Sequence, residues 1–286
     1  AKRRGGNTFH ISTLESDKNV SELLYLLDGI NTIHQKKFSV SYQPIVDLKN
    51  NSIHKVETFL RLNTKLLKNF SVQEVIRDAI KHHAISNITF FVLNQICQDF
   101  VSHIKHVRPD LRLGINITLH ELINDFSILK NNLTNTLKKY GISPKNFVLE
   151  VNEFSSESIE SKDLALAYKN INQLQKLGFY IAIDDFGKSY SSLSRLASMP
   201  IEKLKIDMSF IAGMEREENI KIISGILALA QSLHLEVTAE GVENRFQQDA
   251  LIQLGCQQAQ GYFFSKPLKL EDLLALPTHL VPKTVS

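Results

Sequence analysis

Tyr180-Ile181-Ala182-Ile183-Asp184-Asp185-Phe186-Gly187 is an apolar run that ends in two adjacent carboxylates and a glycine. Flanked by helical patterns, such a run predicts a fully buried parallel strand. Two neighbouring carboxylates repel each other and resist dehydration, so a cation belongs between them, and a divalent metal is the simplest one. An acidic turn with both charges in water fits the same residues. The choice between the two rests on the remainder of the chain.

Several other apolar runs carry or end in side chains able to hold a metal or meet a phosphate. Ile53–Leu62 carries Glu57, Leu111–Ile117 carries Asn116, and Phe147–Val151 carries Glu150. Lys203–Asp207 carries Lys205 and Asp207, Leu235–Glu240 ends in Glu240, and Ala259–Phe264 carries Gln260. Between most of them lie stretches with apolar residues at i, i+3 and i+4, which predict helices over Val72–His82, Phe90–Ile104, Leu164–Leu177 and Asn219–Leu233. Strand and helix alternating over about 250 residues predict an α/β barrel whose polar strand ends gather at one face. A doubly wound open sheet is the rival, but the glycine-rich first turn it usually carries is missing here.

With 286 residues, 43% of them hydrophobic, the chain can bury a full core, and one large α/β domain fits better than two small ones. A net charge of +3 gives no strong pull toward a nucleic-acid polymer or a membrane surface. No apolar run reaches about 18 residues, so no helical membrane span is expected. Cys97 and Cys256 sit in apolar or helical sequence and read as reduced thiols of a cytoplasmic protein. The basic start, Ala1 to Asn7, is not followed by an apolar segment, which argues against a secretory signal, and the missing initiator methionine points to a piece of a longer protein.

Residues 1–18 read as a linker, 19–277 as the barrel and 278–286 as a tail, with a helical pattern over Val20–Ile33 and another over Leu270–Leu276. Phe38–Leu48 and Ile53–Leu62 are joined by Lys49-Asn50-Asn51-Ser52, too short for a crossover helix, so these two strands are expected to be antiparallel. The fold class expected is therefore a TIM-like (β/α)8 barrel with its first strand antiparallel to the rest. Gln43 and Glu57 lie symmetrically about Asn50, so a symmetric hairpin sets them opposite each other on one face.

These residues, taken in order, are similar to those of the EAL domains, bacterial phosphodiesterases of cyclic di-GMP. The likeness runs from about Tyr42 to Leu268. It is carried by Tyr42-Gln43-Pro44-Ile45-Val46-Asp47, Val56-Glu57 with Arg61, Ile115-Asn116-Ile117, Leu149-Glu150 with Glu153, and Asp184-Asp185-Phe186-Gly187 with Tyr190-Ser191-Ser192-Leu193. Leu204-Lys205-Ile206-Asp207, Ala239-Glu240-Gly241-Val242-Glu243 and Gln260-Gly261-Tyr262-Phe263-Phe264-Ser265-Lys266-Pro267 complete it. Ala1 to Asn7 also resembles the end of a GGDEF domain, which implies a cyclase-like domain upstream in the parent chain.

The resemblance implies metal-dependent hydrolysis of cyclic di-GMP to linear pGpG. Glu57, Asn116, Glu150 and Asp184 would hold one Mg²⁺ or Mn²⁺ ion. Asp184 would bridge to a second, which Asp185 and Glu240 also bind. Lys205 would orient the attacking water. Gln43, Arg61 and Gln260 fit substrate contacts, and Glu153, Asp207 and Glu243 fit a supporting shell. A homodimer through the segment near Asp184–Leu193 is implied as well.

The family signature is Glu-Ala-Leu; here it reads Glu57-Thr58-Phe59. Strand alternation turns Thr58 away from Glu57, so the change is expected to alter packing rather than chemistry. Leu62 stands where a tryptophan is frequent. Ser189 replaces a usual glycine, and a serine adopts positive φ only with strain. A receptor that holds cyclic di-GMP without cutting it is the alternative function; the full set of expected ligands favours the enzyme. A Schiff-base lyase using Lys205 is a third, disfavoured by the acidity around it. His103 with His106, the pair His82 and His83, Asn131 with Asn132 and Lys138 with Lys139 read as helix surface or helix ends.

Overall fold

In the computed structural model, residues 38–63, 71–152, 160–187 and 193–280 are described. The linker, the GGDEF-like remnant, the helical pattern over 20–33, Glu153 and Ser189 all lie outside them.

Eight strands close into one barrel in sequence order. They are β1 (Phe38–Asp47), β2 (Ile53–Leu62), β3 (Arg112–Ile117), β4 (Phe147–Asn152), β5 (Tyr180–Phe186), β6 (Lys203–Ile206), β7 (Glu236–Ala239) and β8 (Gln258–Ala259). β1 runs antiparallel to both its neighbours, β2 and β8. Every other pairing is parallel. The expected architecture is thus found, with the odd strand set by the short turn at residues 48–52. Within the hairpin Gln43 pairs with Glu57, as symmetry about Asn50 requires.

The helices pack outside the barrel. They are α1 (Val72–Lys81), α2 (Ile85–Asp99), α3 (Leu119–Ile123), α4 (Phe126–Tyr140), α5 (Ser161–Lys176), α6 (Leu193–Ser198), α7 (Met208–Ala212), α8 (Glu217–Ser232), α9 (Arg245–Gln253) and α10 (Leu270–Ala275). Reciprocal capping boxes fix the starts of α1 (Ser71 with Glu74), α3 (Thr118 with Glu121) and α9 (Asn244 with Gln247). α4 stops at Gly141, whose φ of 65° is the left-handed cap an L side chain resists. The strand faces that these helices cover are apolar: Leu113, Leu149, Ile181, Leu204 and Val237 are fully buried. Such burial, about 25 cal/mol per Å² of apolar surface, is the main stabilising term. Tyr42 and Asp99 put one polar contact in this layer, the tyrosine hydroxyl donating to Asp99 Oδ2 at 2.6 Å. Gln95 Nε2 donates to the other carboxylate oxygen, so the buried charge is solvated by side chains.

Two elements differ from expectation. The expected helix over Phe90–Ile104 begins earlier, at Ile85, and its last turn, Phe100–Ile104, is a π-helix. The strand expected over Ala259–Phe264 ends at Ala259. After it the chain wraps around Val242, whose backbone N–H donates to Gln260 O and whose carbonyl accepts from Phe263. Gly261 lies against that backbone so closely that any Cβ would overlap it. Cys97 and Cys256 are buried free thiols, each pushed up to about 12 by burial.

Candidate functional site

Barrel alternation sends every second strand residue inward, and in β2 and β6 these inward positions include charged residues. Lys55 and Glu57 follow each other on β2, and Lys203 and Lys205 on β6. The charges sort by height. Toward the start of the parallel strands, Lys55 and Lys203 both pair with Glu236, and Lys55 also donates to Gln258 Oε1 at 2.9 Å. Higher up, Lys205 stands at the centre of a ring of acids. Its Nζ lies 2.7 Å from Glu150, 2.7 Å from Glu240, 2.9 Å from Glu57 and 3.0 Å from Asp184.

This upper layer is buried. Glu57, Glu150, Asp184 and Lys205 are each less than a tenth exposed. Burial pushes the Glu150 carboxyl well above the ordinary range, with Lys205 pulling it back. Burial likewise pushes Glu240 up to about 8, again opposed by Lys205. Burial alone would lower Lys205, but the four carboxylates around it outweigh that and raise it well above its usual value. One ammonium thus faces four carboxyl groups, and the upward shifts of Glu150 and Glu240, which the neighbouring carboxyls reinforce, register the shortage of positive charge in the ring.

Asp184 and Asp185 solve a geometric problem. Neighbours on a regular strand point to opposite faces. Here the β5–β6 register shifts between Ile183 and Phe186, and Asp185 takes φ of 57°, a left-handed conformation that aspartate tolerates better than most residues. Its carboxylate is brought round to accept from Asn152 Nδ2 at 3.0 Å, and its backbone N–H donates to Asp184 Oδ1 at 3.0 Å. The result is two acid clusters with one shared member: Glu57, Glu150 and Asp184, then Asp184, Asp185 and Glu240. Within each cluster the ligand oxygens lie within 4.8 Å of one another. An all-oxygen donor set with excess negative charge fits hard divalent cations such as Mg²⁺ or Mn²⁺.

Amides join the acids to the wall. Asn116 Nδ2 donates to Glu57 Oε1 at 3.1 Å. Gln260 Nε2 donates to Glu57 Oε2 at 2.9 Å and to Gln43 Oε1 at 3.0 Å, while Gln43 donates to the Ser265 carbonyl at 3.0 Å. Above them opens a cavity of about 550 Å³, whose lining includes Gln43, Glu57, Asp184, Asp185, Glu240 and Gln260. Arg61, Asp207 and Glu243 lie on its wall. Asp207 caps α7 through the Ser209 backbone N–H at 3.0 Å, and Glu243 is exposed. Asn116 does not cap the helix that follows it; Thr118 does. His103 and His106 are exposed, as expected of a helix surface.

Sequence reasoning passed over Gly114, Phe59, Gln73 and Met208, the last three of which line the cavity. Gly114 leaves room for the Glu150 carboxylate, and an isolated glycine inside a strand was the available signal. Phe59 lines the cavity, so only half of the expectation for the signature change holds. Thr58 is buried in the barrel wall opposite Tyr42, whereas Phe59 faces the site.

Comparison with known proteins bears on the family and the fold. The EAL domain family model matches residues 29–267. The bifunctional diguanylate cyclase/cyclic di-GMP phosphodiesterase MucR of Pseudomonas aeruginosa is 30% identical over 277 residues, covering 96% of this chain and 40% of that protein. The cyclic di-GMP phosphodiesterase NbdA of the same organism is 31% identical, covering 84% of this chain and 30% of that protein. The chain therefore spans well under half the length of these relatives. Among solved structures, the EAL enzyme Bd1971 bound to cAMP and cyclic di-GMP superposes with a TM-score of 0.80 at 31% identity, covering 91% of this chain and 69% of that one. The PaMucR phosphodiesterase in complex with c-di-GMP gives 0.77 at 29% identity, covering 88% and 99%. With its family model matched across nearly the whole barrel, the chain belongs to the EAL domain family.

Proposed function

We propose that this domain hydrolyses cyclic di-GMP to linear pGpG, with two divalent metal ions, Mg²⁺ or Mn²⁺, held by the acid ring. The observation that carries this reading is the pair of acid clusters sharing Asp184 around Lys205. Glu57, Asn116, Glu150 and Asp184 would hold one ion, and Asp184, Asp185 and Glu240 the other. When bound, the ions supply a water activated at neutral pH and relief of charge on the phosphoryl oxygens. The water oxygen bonds to phosphorus, the P–O3′ bond breaks, and the 3′ oxygen takes a proton.

The chain's own groups orient this reaction. Lys205 lies within 3.0 Å of four carboxylates, which favours its ammonium form. It therefore orients the water and offsets charge rather than acting as a base. Gln260 and Asn116 fix the Glu57 carboxylate from both of its oxygens. Gln43 is positioned for a base edge and Arg61 for a phosphate. Asp207 and Glu243 steady the wall, and Glu153 is assigned a supporting place from the sequence alone. The parent chain carries a GGDEF-like domain upstream, the domain works in the cytoplasm, and two copies pair near the Asp184–Leu193 segment. Among the described residues no helix is long and apolar enough to cross a membrane. Titrating Mg²⁺ or Mn²⁺ into chelator-treated protein with cyclic di-GMP tests the enzymatic reading, and light scattering tests the dimer.

A further inference from the structure

We infer that Phe59 is a positioning residue for the Arg61 guanidinium, holding that cation against an aromatic ring so that it faces an anionic group of the ligand. The inference rests on the proposed cyclic dinucleotide reading and extends it to a residue in which this chain departs from the family signature.

Arg61 Cζ lies 5.2 Å from the Phe59 ring centroid. The two residues are i and i+2 on β2, so they share the inward face with Glu57, and both line the cavity. Among the described residues the Arg61 side chain makes one hydrogen bond, to the carbonyl of its neighbour Leu60 at 3.1 Å, and no ion pair. A guanidinium carries five N–H donors, so most of its fork remains available at the cavity wall. Arg61 is the one basic residue among the described residues lining the cavity, beside six acids, so it is the group a phosphate diester would meet. A long arginine side chain loses rotamer freedom when it binds. A ring beneath it lowers that cost by holding the arm in place beforehand, which the leucine of the family signature cannot do through a π face.

Tyr262, another residue of the cavity lining, repeats the arrangement with Lys266, whose Nζ lies 5.4 Å from the ring centroid. Two aromatic rings of the lining thus each stand beside one cation. Phe59 is the half of this pair that the family pattern does not supply.

The test is a double-mutant cycle on the affinity for cyclic di-GMP, measured by calorimetry with Ca²⁺, which is expected to support turnover poorly. Phe59→Leu is expected to weaken binding about two- to fivefold, the scale of an exposed cation–π contact. Phe59→Tyr is expected to restore it. In an Arg61→Ala background the Phe59→Leu change is expected to add nothing. Equal losses in both backgrounds, or no loss in either, overturn the inference. Phe59→Met, which keeps volume without a π face, gives the same comparison if the leucine variant folds poorly. Hydrolysis by the wild-type protein in Mn²⁺ is followed on the same preparation. A protein that binds with the expected coupling and cuts nothing sinks the phosphodiesterase reading alone. A protein that cuts while the two residues fail to couple sinks the inference alone, and a wild type that does not bind sinks both.

Discussion

Gly114 on β3 faces Glu150 on β4 so closely that a methyl group on its α-carbon would overlap Glu150 Oε1, with the Glu57 α-carbon 3.3 Å away. The smallest side-chain addition therefore moves a carboxylate at the centre of the acid ring. Gly114→Ala is expected to cost about 1–3 kcal/mol of stability through overpacking. A displacement near 1 Å at the chemistry costs on the order of a hundredfold in rate. Turnover of cyclic di-GMP and the urea midpoint check the two effects separately. Wild-type turnover would show that Glu150 has room to shift without consequence.

Glu57→Ala and Asp184→Asn remove members of the acid clusters. Each is expected to lower turnover by orders of magnitude and to weaken Mn²⁺ binding in calorimetry. Lys205→Ala is expected to lower turnover as far while sparing Mn²⁺ affinity more. Near-wild-type activity for Glu57→Ala would show that the metal assignment fails at that residue.

Lys205→Ala also leaves four carboxylates without their cation. Breaking a buried ion pair costs about 3–5 kcal/mol, and a divalent ion can replace the missing charge. Added Mn²⁺ is expected to raise the melting temperature of this variant more than that of the wild type. Equal shifts in the two proteins would count against a metal taking up the uncompensated charge.

Lys55 makes the lower layer sensitive to pH. Burial first, then the neighbouring Lys203, lowers its pKa to about 7, with Glu236 opposing both. The unfolded chain holds that proton up to about 10.4. Between these values the unfolded state binds more protons, so stability rises with pH, by at most about 1.4 kcal/mol per unit for this one group. Relative to the wild type, Lys55→Met is expected to lose that rise when urea midpoints are compared at pH 6.5, 8 and 9.5. Parallel pH profiles for the two proteins would show that Lys55 keeps its proton throughout.

The barrel was legible because its signals are local. Apolar runs, helical spacing and a turn too short for a crossover fixed eight strands, an antiparallel start and the facing of Gln43 to Glu57. The acid ring was legible because its members recur at matching strand positions. What escaped depends on contacts between strands. The turn of Asp185 into the site comes from a register shift against β6, which no pattern within β5 announces. The short β8 comes from the wrap around Val242. The layer of Lys55, Lys203 and Glu236 needs the stagger of strands far apart in sequence. Phe59 was assigned to packing because the signature change was read from Thr58, its neighbour on the other face.

The most direct measurement is chromatography of cyclic di-GMP incubated with the purified protein, in Mg²⁺ or Mn²⁺ and again in excess EDTA. The expected result is a single nucleotide product, pGpG, formed with metal and abolished by chelation. Intact cyclic di-GMP recovered bound to the protein with metal present would contradict hydrolysis and mark the domain as a receptor, and turnover that persists in EDTA would contradict the role given to the acid ring.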